Sequence, residues 1–217
     1  MVEILILSLV QGITEFLPVS SSSHLIIISE FISFEDKGLS IDVSLHIGSF
    51  IAVITYFHKD IFNFIENKQL FLKIIFSSFP LILVGYFLIQ TNLIQELRSI
   101  KIIGWMTLVF GILLYISDKF KLEKNIQNNF NISTALFIGL FQILSLVPGV
   151  SRAGIAITAG RFLSFNRFDA SKISFLLSIP TLGAVSIYGL SNIISSEGFE
   201  ISRLSLVAIL FSFIFSF

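Results

Sequence analysis

Residues 11–24, QGITEFLPVSSSSH, bring several side chains that could do chemistry into a strongly apolar chain. The segment holds an amide, a carboxylate, a run of serines and a histidine. Insertion scales put an acidic residue at the centre of a membrane helix at about +2.5 to +3.5 kcal/mol. Because such groups are costly to remove from water, their presence in this segment indicates a function.

The spacing of the two ends of this segment favours a shared site. Gln11 and Glu15 are four residues apart, so a helix places them on one face. His24 lies within one turn of several hydroxyls and is a candidate base or nucleophile. The alternative interpretations are a structural carboxylate at Glu15, bonded to a neighbouring helix, and a structural, hydrogen-bonded histidine at His24.

The serines between these residues predict an anion site. Ser20, Ser21 and Ser22 stand between Pro18 and the start of a second helix. Serine is a preferred N-cap, and capping is the alternative role for any one of them. Several serines exceed what one cap requires, and hydroxyls with free N–H groups at a helix N-terminus favour phosphate.

A second polar segment, PGVSRAGIAIT at 148–158, has a complementary composition. Gly149 and Gly154 allow the backbone to turn and to approach a ligand closely. Ser151 can cap the following helix, and Arg152 carries a permanent planar cation suited to phosphate oxygens. Arg152 could instead pair with Glu15 as a buried salt bridge, or form that pair and release it when ligand binds. Together the two segments predict a site for a phosphate or diphosphate attached to a lipid-tolerant group.

The composition places this site in a membrane protein. The chain of 217 residues is 54% hydrophobic and 13% charged, with a mean hydropathy of +0.92, whereas soluble domains have about 25% charged residues. The net charge is zero and no basic run exists, so nucleic-acid binding is not expected. The absence of cysteine excludes disulfides and thiol catalysis. No basic residue precedes Lys37, so 1–17 should not be a cleaved signal peptide.

The apolar segments predict an all-α, polytopic integral membrane protein with one domain over 1–217. Two segments that end at Pro18 and Pro148 are shorter than the roughly 20 residues of a span. Each is expected to form a re-entrant helical hairpin with the short helix after it. The hairpins are 1–33 and 133–165; the remaining spans are about 41–57, 69–90, 101–117 and 170–194, and one that starts near Arg203.

The two hairpins also indicate an internal repeat. At an offset of 130, Leu17-Pro18 matches Val147-Pro148 and Ser21 matches Ser151. Three spans between the hairpins make the second enter from the opposite face, which is an inverted-topology repeat with its site near the membrane midplane. Repeat one covers about 1–117 and repeat two about 133–217. Repeat two ends before the last helices that repeat one has, so the chain is expected to be C-terminally short.

Charge then predicts the orientation. One face would hold nine basic residues and the other four, and the excess marks the cytoplasmic face. The first hairpin and the site therefore open to the outer face. The cytoplasmic set is Lys59, Lys68, Lys73, Lys119, Lys121, Lys124, Arg161, Arg167 and Lys172; the outer set is Lys37, Arg98, Lys101 and Arg203.

Both polar segments resemble motifs of one family, the bacterial undecaprenyl-diphosphate phosphatases, or bacitracin-resistance proteins. QGITEFLPVSSSSH is similar to their [E/Q]xxxE-plus-serine motif, and PGVSRAGIAIT to their PGxSRSxxT motif. The likeness extends over essentially the whole chain, including DVSLHIGSFIAV and ASKISFLLSIP. It implies an enzyme of the bacterial inner membrane that hydrolyses undecaprenyl diphosphate to the monophosphate and phosphate and so recycles the cell-wall lipid carrier.

The resemblance also implies roles for individual residues. The catalytic residues would be Glu15, Ser21, His24 and Arg152, and the substrate-binding residues Gln11, Ser20, Ser22, Gly149, Ser151 and Gly154. Ser21 would attack with His24 as base, or His24 itself would attack, and Glu15 would orient that histidine or bind Mg²⁺ or Ca²⁺ with Gln11. Ser23 and Ala153 stand where the family commonly has glycine and serine.

Two other functions fit the same architecture. A transporter or flippase of polyprenyl phosphate or another anion would also have inverted repeats with broken helices. A structural or assembly membrane protein with a relict site is the second alternative. The expected partners are a polyprenyl diphosphate lipid and the bilayer, with a homodimer left open.

Overall fold

The computed structural model describes residues 1–32, 39–91, 93–120, 124–195 and 203–217. Within these ranges the chain is helical, and the only extended pairing is an isolated parallel bridge between Lys124 and Phe165. The predicted all-α class is therefore confirmed for the described residues.

The first half of the chain contains the first predicted hairpin and the helices after it. They are α1 (Val2–Thr14), α2 (Ser21–Phe31), α3 (Leu39–Tyr56), α4 (His58–Glu66), α5 (Lys68–Gln90), α6 (Leu93–Leu97) and α7 (Ile100–Ser117). The second half of the chain contains the remaining described helices. It has α8 (Ile126–Asn129), α9 (Ile132–Gln142) with a 3₁₀ turn (Ile143–Leu146), α10 (Arg152–Phe162), α11 (Arg167–Ser195) and α12 (Arg203–Ser216).

Within the described ranges, length and apolarity identify three helices able to cross a membrane: Lys68–Gln90, Ile100–Ser117 and Arg167–Ser191. These match the predicted spans at 69–90, 101–117 and 170–194. Shorter apolar helices cover Val2–Thr14, Ile41–Tyr56, Ile132–Leu146 and Arg203–Ser216. The segments before Pro18 and Pro148 are therefore helical and short, as the sequence predicted.

Helix α4 was not predicted, because its charged residues resembled a polar linker. It forms because its apolar residues share one side. Phe64 is buried, and its ring centroid lies 5.3 Å from that of Phe71 in α5. The helix thus packs against α5, with Lys59 and Glu66 exposed.

The two halves pack in a reciprocal manner. Helix α1 packs on α12, and α9 packs on α5; α3 contacts α12, and α11 contacts both α5 and α3. One apolar cluster joins α5, α9, α10 and α11 around Ile74, Ile138 and Ile173. A second joins α1, α2, α3 and α12 around Ile4 and Leu45.

Close helix contacts depend on glycine in each half. A Cβ on Gly12 would overlap the backbone of Phe215 in α12, and one on Gly139 would overlap the carbonyl oxygen of Ser77 in α5. Ser77 also donates its hydroxyl to the Ala135 carbonyl at 2.6 Å. Small residues let helix backbones approach closely where lipid provides no hydrophobic driving force.

Replacing Gly139 tests this packing. Gly139→Ala should lower the free energy of unfolding by roughly 1–3 kcal/mol, because the added methyl group overlaps the α5 backbone. The measurement is thermal unfolding of the purified protein in detergent. Gly104→Ala is the matched control, since nothing lies within 4 Å of a Cβ there, and it should be neutral or slightly stabilising. Equal stability of the two variants would contradict this account.

Candidate active site

The tips of the two hairpins meet. The Ser151 hydroxyl lies 3.5 Å from the Leu17 carbonyl oxygen. A Cβ on Gly154 would come within 3.3 Å of the Pro18 carbonyl oxygen. The prolines end the first helix of each hairpin, and the chain turns there into a second short helix, so both second helices begin at the junction.

The glycines of the second tip allow close contacts with other segments of the same chain. Gly149 has a φ of +105°, a backbone conformation that favours glycine. A Cβ on it would overlap the Ile103 carbonyl oxygen and the side chain of Met106 in α7. The predicted turn at Gly149 is present, but its close approach is to α7, and that of Gly154 is to the first tip.

Glu15 is the centre of the junction. Its side chain is only 5% exposed, and Arg152 Nη2 donates to its Oε1 at 2.7 Å. The Ser21 hydroxyl donates to Oε2 at 2.7 Å, and Gln11 Nε2 donates to the same oxygen at 3.0 Å. Three of the predicted site residues, Gln11, Ser21 and Arg152, therefore donate hydrogen bonds to the carboxylate of a fourth, Glu15. The structure also shows the buried Arg152–Glu15 salt bridge that was the alternative role for Arg152.

Arg152 is also held from a third element. Its Nη1 donates to Thr181 Oγ1 at 2.8 Å, and Thr181 in turn donates to the Leu177 carbonyl at 2.8 Å. Thr181 is 5% exposed and follows Pro180 in the middle of α11. These bonds orient the guanidinium plane between α1 and α11.

Two further residues that the sequence analysis missed contact Gln11. His46 Nδ1 lies 3.0 Å from Gln11 Nε2 and 3.5 Å from Glu15 Oε2. Ser49 Oγ lies 3.4 Å from Gln11 Nε2. Their sequence signal was the spacing of His46 and Ser49, one helical turn apart in an apolar helix. Polar residues inside membrane segments often mark functional sites.

His24 is oriented by its own helix. Its Nδ1 lies 2.7 Å from the Ser20 carbonyl oxygen, and its side chain is exposed. A carbonyl only accepts, so Nδ1 carries the proton and Nε2 of the neutral ring keeps its lone pair. Among the described contacts none joins His24 to Glu15; Glu15 instead bonds Ser21 and approaches His46.

The serine run leaves the α2 N-terminus open. Ser20 occupies the N-cap position, but its side chain makes no capping hydrogen bond. Its hydroxyl instead accepts from Ser23 at 2.9 Å and lies 3.3 Å from that of Ser22. In contrast, Ser151 caps α10 by accepting from the Gly154 N–H at 3.1 Å, as predicted. The first N–H groups of α2 therefore remain available to an anion.

A divalent cation would find few ligands from the described residues. They contain no group of three or more His, Cys, Asp or Glu side chains placed to hold a metal. Both Glu15 oxygens already accept hydrogen bonds, whereas Gln11 Oε1 is buried without a partner. Gln11 Oε1 and Glu15 fit a cation only if the ligand's own oxygens complete its shell, which is how Mg²⁺ commonly binds with phosphates.

The fold and this junction define a class, polytopic helical membrane proteins with a buried ion pair between two helical tips. Residues 4–217 match the family model of the bacitracin resistance protein BacA. The chain is 50% identical over 217 residues to the undecaprenyl-diphosphatase of Pelagibacter ubique strain HTCC1062, covering 100% of this chain and 84% of that protein. It is 39% identical over 223 residues to the undecaprenyl-diphosphatase of Jannaschia sp. strain CCS1, covering 96% and 83%. It is 46% identical over 189 residues to that of Saccharophagus degradans, covering 81% and 71%.

The chain therefore belongs to the bacitracin resistance protein BacA family, a family of multi-pass membrane proteins. The match covers the polar segments of both hairpins and all the helices of the fold after the first few residues. The resemblance inferred from the two motifs is confirmed.

The buried pair can be tested by a double-mutant cycle. Arg152→Gln should lower the free energy of unfolding by roughly 3–5 kcal/mol, because it leaves the Glu15 charge without its partner. Glu15→Gln combined with Arg152→Gln should recover most of that loss. Arg98→Gln is the control, since Arg98 and Asp42 are both about one-third exposed and such pairs contribute about 0–1 kcal/mol. A double variant no more stable than Arg152→Gln would contradict the pair's role.

Proposed function

We propose that this chain hydrolyses undecaprenyl diphosphate to undecaprenyl phosphate and inorganic phosphate. Two relatives that match 96–100% of this chain are named undecaprenyl-diphosphatase. The observation that carries the proposal is the junction at Glu15, where Arg152 of one tip and Ser21 of the other contact one buried carboxylate. This is the arrangement that binding and transfer of a phosphoryl group require, a fixed cation beside hydroxyls and a base.

Substrate binding would replace the contact between Arg152 and Glu15. Arg152 Nη2, which now donates to Glu15, would instead donate to an oxygen of the terminal phosphoryl group. The bond from Arg152 Nη1 to Thr181 would keep the guanidinium in place. The uncapped N-terminus of α2 adds N–H donors on the opposite side. Ser20, Ser22 and Ser151 lie at the same tips and are the proposed hydroxyl contacts.

Two side chains are placed to attack phosphorus. The Ser21 hydroxyl donates a hydrogen bond to Glu15. In the first route Glu15 takes up that proton as the Ser21 oxygen attacks phosphorus, and undecaprenyl phosphate departs. In the second route the neutral His24 ring attacks through Nε2, with Nδ1 donating to the Ser20 carbonyl. Water then releases phosphate from either intermediate. A trapped phosphoserine resists acid, whereas a phosphohistidine does not, so acid treatment distinguishes the routes.

Mg²⁺ or Ca²⁺ would bind at Gln11 and Glu15 together with the diphosphate. Gln11 Oε1 is buried and has no hydrogen-bond partner among the described residues. A bound cation would neutralise charge on the phosphoryl oxygens, while Gln11 Nε2 continues to position Glu15.

We further propose that the chain is an inverted-topology repeat whose two hairpins are re-entrant. The reciprocal packing of α1 on α12 and of α9 on α5 supports this arrangement. So do the paired close contacts of Gly12 and Gly139, each on the first helix of its hairpin. The excess of Lys and Arg on one face then opens the site to the outer face of the bacterial cytoplasmic membrane.

The activity is tested by phosphate release from undecaprenyl diphosphate by the purified protein in detergent. The wild type should release phosphate, and Arg152→Ala should lower the rate about 10²–10³-fold, because it removes the cation at the phosphoryl group. Arg98→Ala is the matched control and should stay within a few-fold of wild type. The same assay with a chelator tests the cation.

The assay also separates the enzyme from the alternatives. Detergent leaves no second compartment, so a flippase or transporter would release no phosphate. A relict site would neither bind the diphosphate nor release phosphate while the protein remained folded. Arg152→Ala at the wild-type rate would contradict the assigned site, even if the protein were a phosphatase.

The orientation is tested with single cysteines, since the native chain has none. Lys101 and Lys68 are both exposed and begin adjacent long helices, α7 and α5. A membrane-impermeant maleimide applied to spheroplasts should label Lys101→Cys and leave Lys68→Cys unlabelled until the membrane is permeabilised. Labelling of Lys68→Cys alone in intact spheroplasts would invert the proposed topology.

A further inference from the structure

A pocket lies near the opposite end of α10 from Arg152. Arg161 is nine residues further along α10, which is about 13.5 Å along a helix. The pocket has a volume of about 410 Å³ and is lined by residues of α7, α10 and α11 that include Gly111, Tyr115, Ile157, Arg161, Arg167 and Ser171. This volume falls within the roughly 300–1,000 Å³ of small-molecule sites.

Arg161 is the main feature of the pocket wall. Its side chain is 1% exposed, and it donates from Nη2 to the Asp118 carbonyl at 2.8 Å and from Nη1 to the Phe165 carbonyl at 3.2 Å. Its Nε–H is buried and has no acceptor among the described residues. Arg161 is thus a buried guanidinium in the pocket wall with one donor that no described acceptor satisfies.

The charges around the pocket favour an anionic ligand. The Asp118 carboxylate lies 3.0 Å from Arg161 Nη2 and accepts from Arg167 Nε at 2.9 Å. Those bonds from Arg167, with the nearby Arg161 charge, hold the pKa of Asp118 below its ordinary value. Lys119 adds an ammonium group 4.7 Å from the Tyr115 ring centroid. The guanidinium groups of Arg161 and Arg167 therefore both contact the Asp118 carboxylate.

The rest of the wall favours a ligand with an apolar tail. Leu114 and Ile157 line the pocket beside the charged groups. Helix α7 continues away from the pocket with exposed Leu108 and Ile112 and is long and apolar enough to span a membrane. A headgroup in the pocket would thus place its chains along an outward apolar helix.

We propose that this pocket binds the phosphate headgroup of an anionic lipid. It is separate from the junction at Glu15, and its residues belong to the face with the excess of basic side chains. The site does not depend on the hydrolytic activity proposed above, because it takes no part in the junction and shares no residue with it.

The test uses a photoreactive phosphatidic acid in nanodiscs that contain the wild type or a variant. Cross-links should map to peptides that include 111–118 and 157–171. Gly111→Leu fills the pocket and should abolish them; Gly104→Leu, on the same helix seven residues earlier, is the matched control and should leave them unchanged. Neither glycine has an atom within 4 Å of an added Cβ, so both variants should fold. Arg167→Gln should weaken labelling about tenfold.

Competition identifies the ligand's source. Dioctanoyl phosphatidic acid should compete for labelling, and dioctanoyl phosphatidylcholine should not. Equal competition by inorganic phosphate would mean that the phosphate group alone is recognised. No competition by inorganic phosphate would mean that the lipid chains are also required. Both results support an anion site. Labelling that persists in Gly111→Leu, or equal competition by phosphatidylcholine, would overturn the proposal. Unchanged phosphate release by Gly111→Leu would show that the catalytic junction is intact.

Discussion

The buried contact between Glu15 and Arg152 is the interaction on which the rest of the structure depends. It joins two residues 137 positions apart, each at the tip of a different hairpin. Either charge alone would be costly in an apolar interior, so each hairpin stabilises the polar residue of the other. In the function proposed above, a phosphoryl oxygen replaces the carboxylate as acceptor while the bond to Thr181 keeps the guanidinium in place.

Small residues make that meeting of the tips possible. Gly12 and Gly139 allow the first helix of each hairpin to lie directly on a helix of the other half, and Gly149 and Gly154 bring the second tip against α7 and the first tip. Hydroxyls then connect backbones that have come close, as Ser212 does by donating to the Leu45 carbonyl at 2.6 Å. The meeting of the two tips therefore depends on backbone contacts that no larger side chain would permit.

Much of this could be predicted from the sequence, because the informative residues are exceptional in their surroundings. Polar residues beside Pro18 and Pro148 marked both tips, and Gln11, Glu15, Ser21 and Arg152 do meet on one carboxylate. Thr181 and His46 were missed because their roles depend on how α11 and α3 cross the hairpins, which periodicity does not report. The link expected between Glu15 and His24 is absent from the described contacts, since the ring of His24 turns back to the carbonyl four residues earlier.

Helix α10 contributes one arginine to each of the two polar regions. An arginine stands at its first residue and another near its last, and each is bonded to a carboxylate from a distant part of the chain. Arg152 has both terminal nitrogens engaged by side chains that a phosphoryl group can displace or extend, whereas Arg161 is tied to backbone carbonyls that cannot move away. The first arrangement suits a ligand that must bind, react and leave. The second suits a fixed anchor, which is why a turnover role fits the tips and a static lipid contact fits the opposite end.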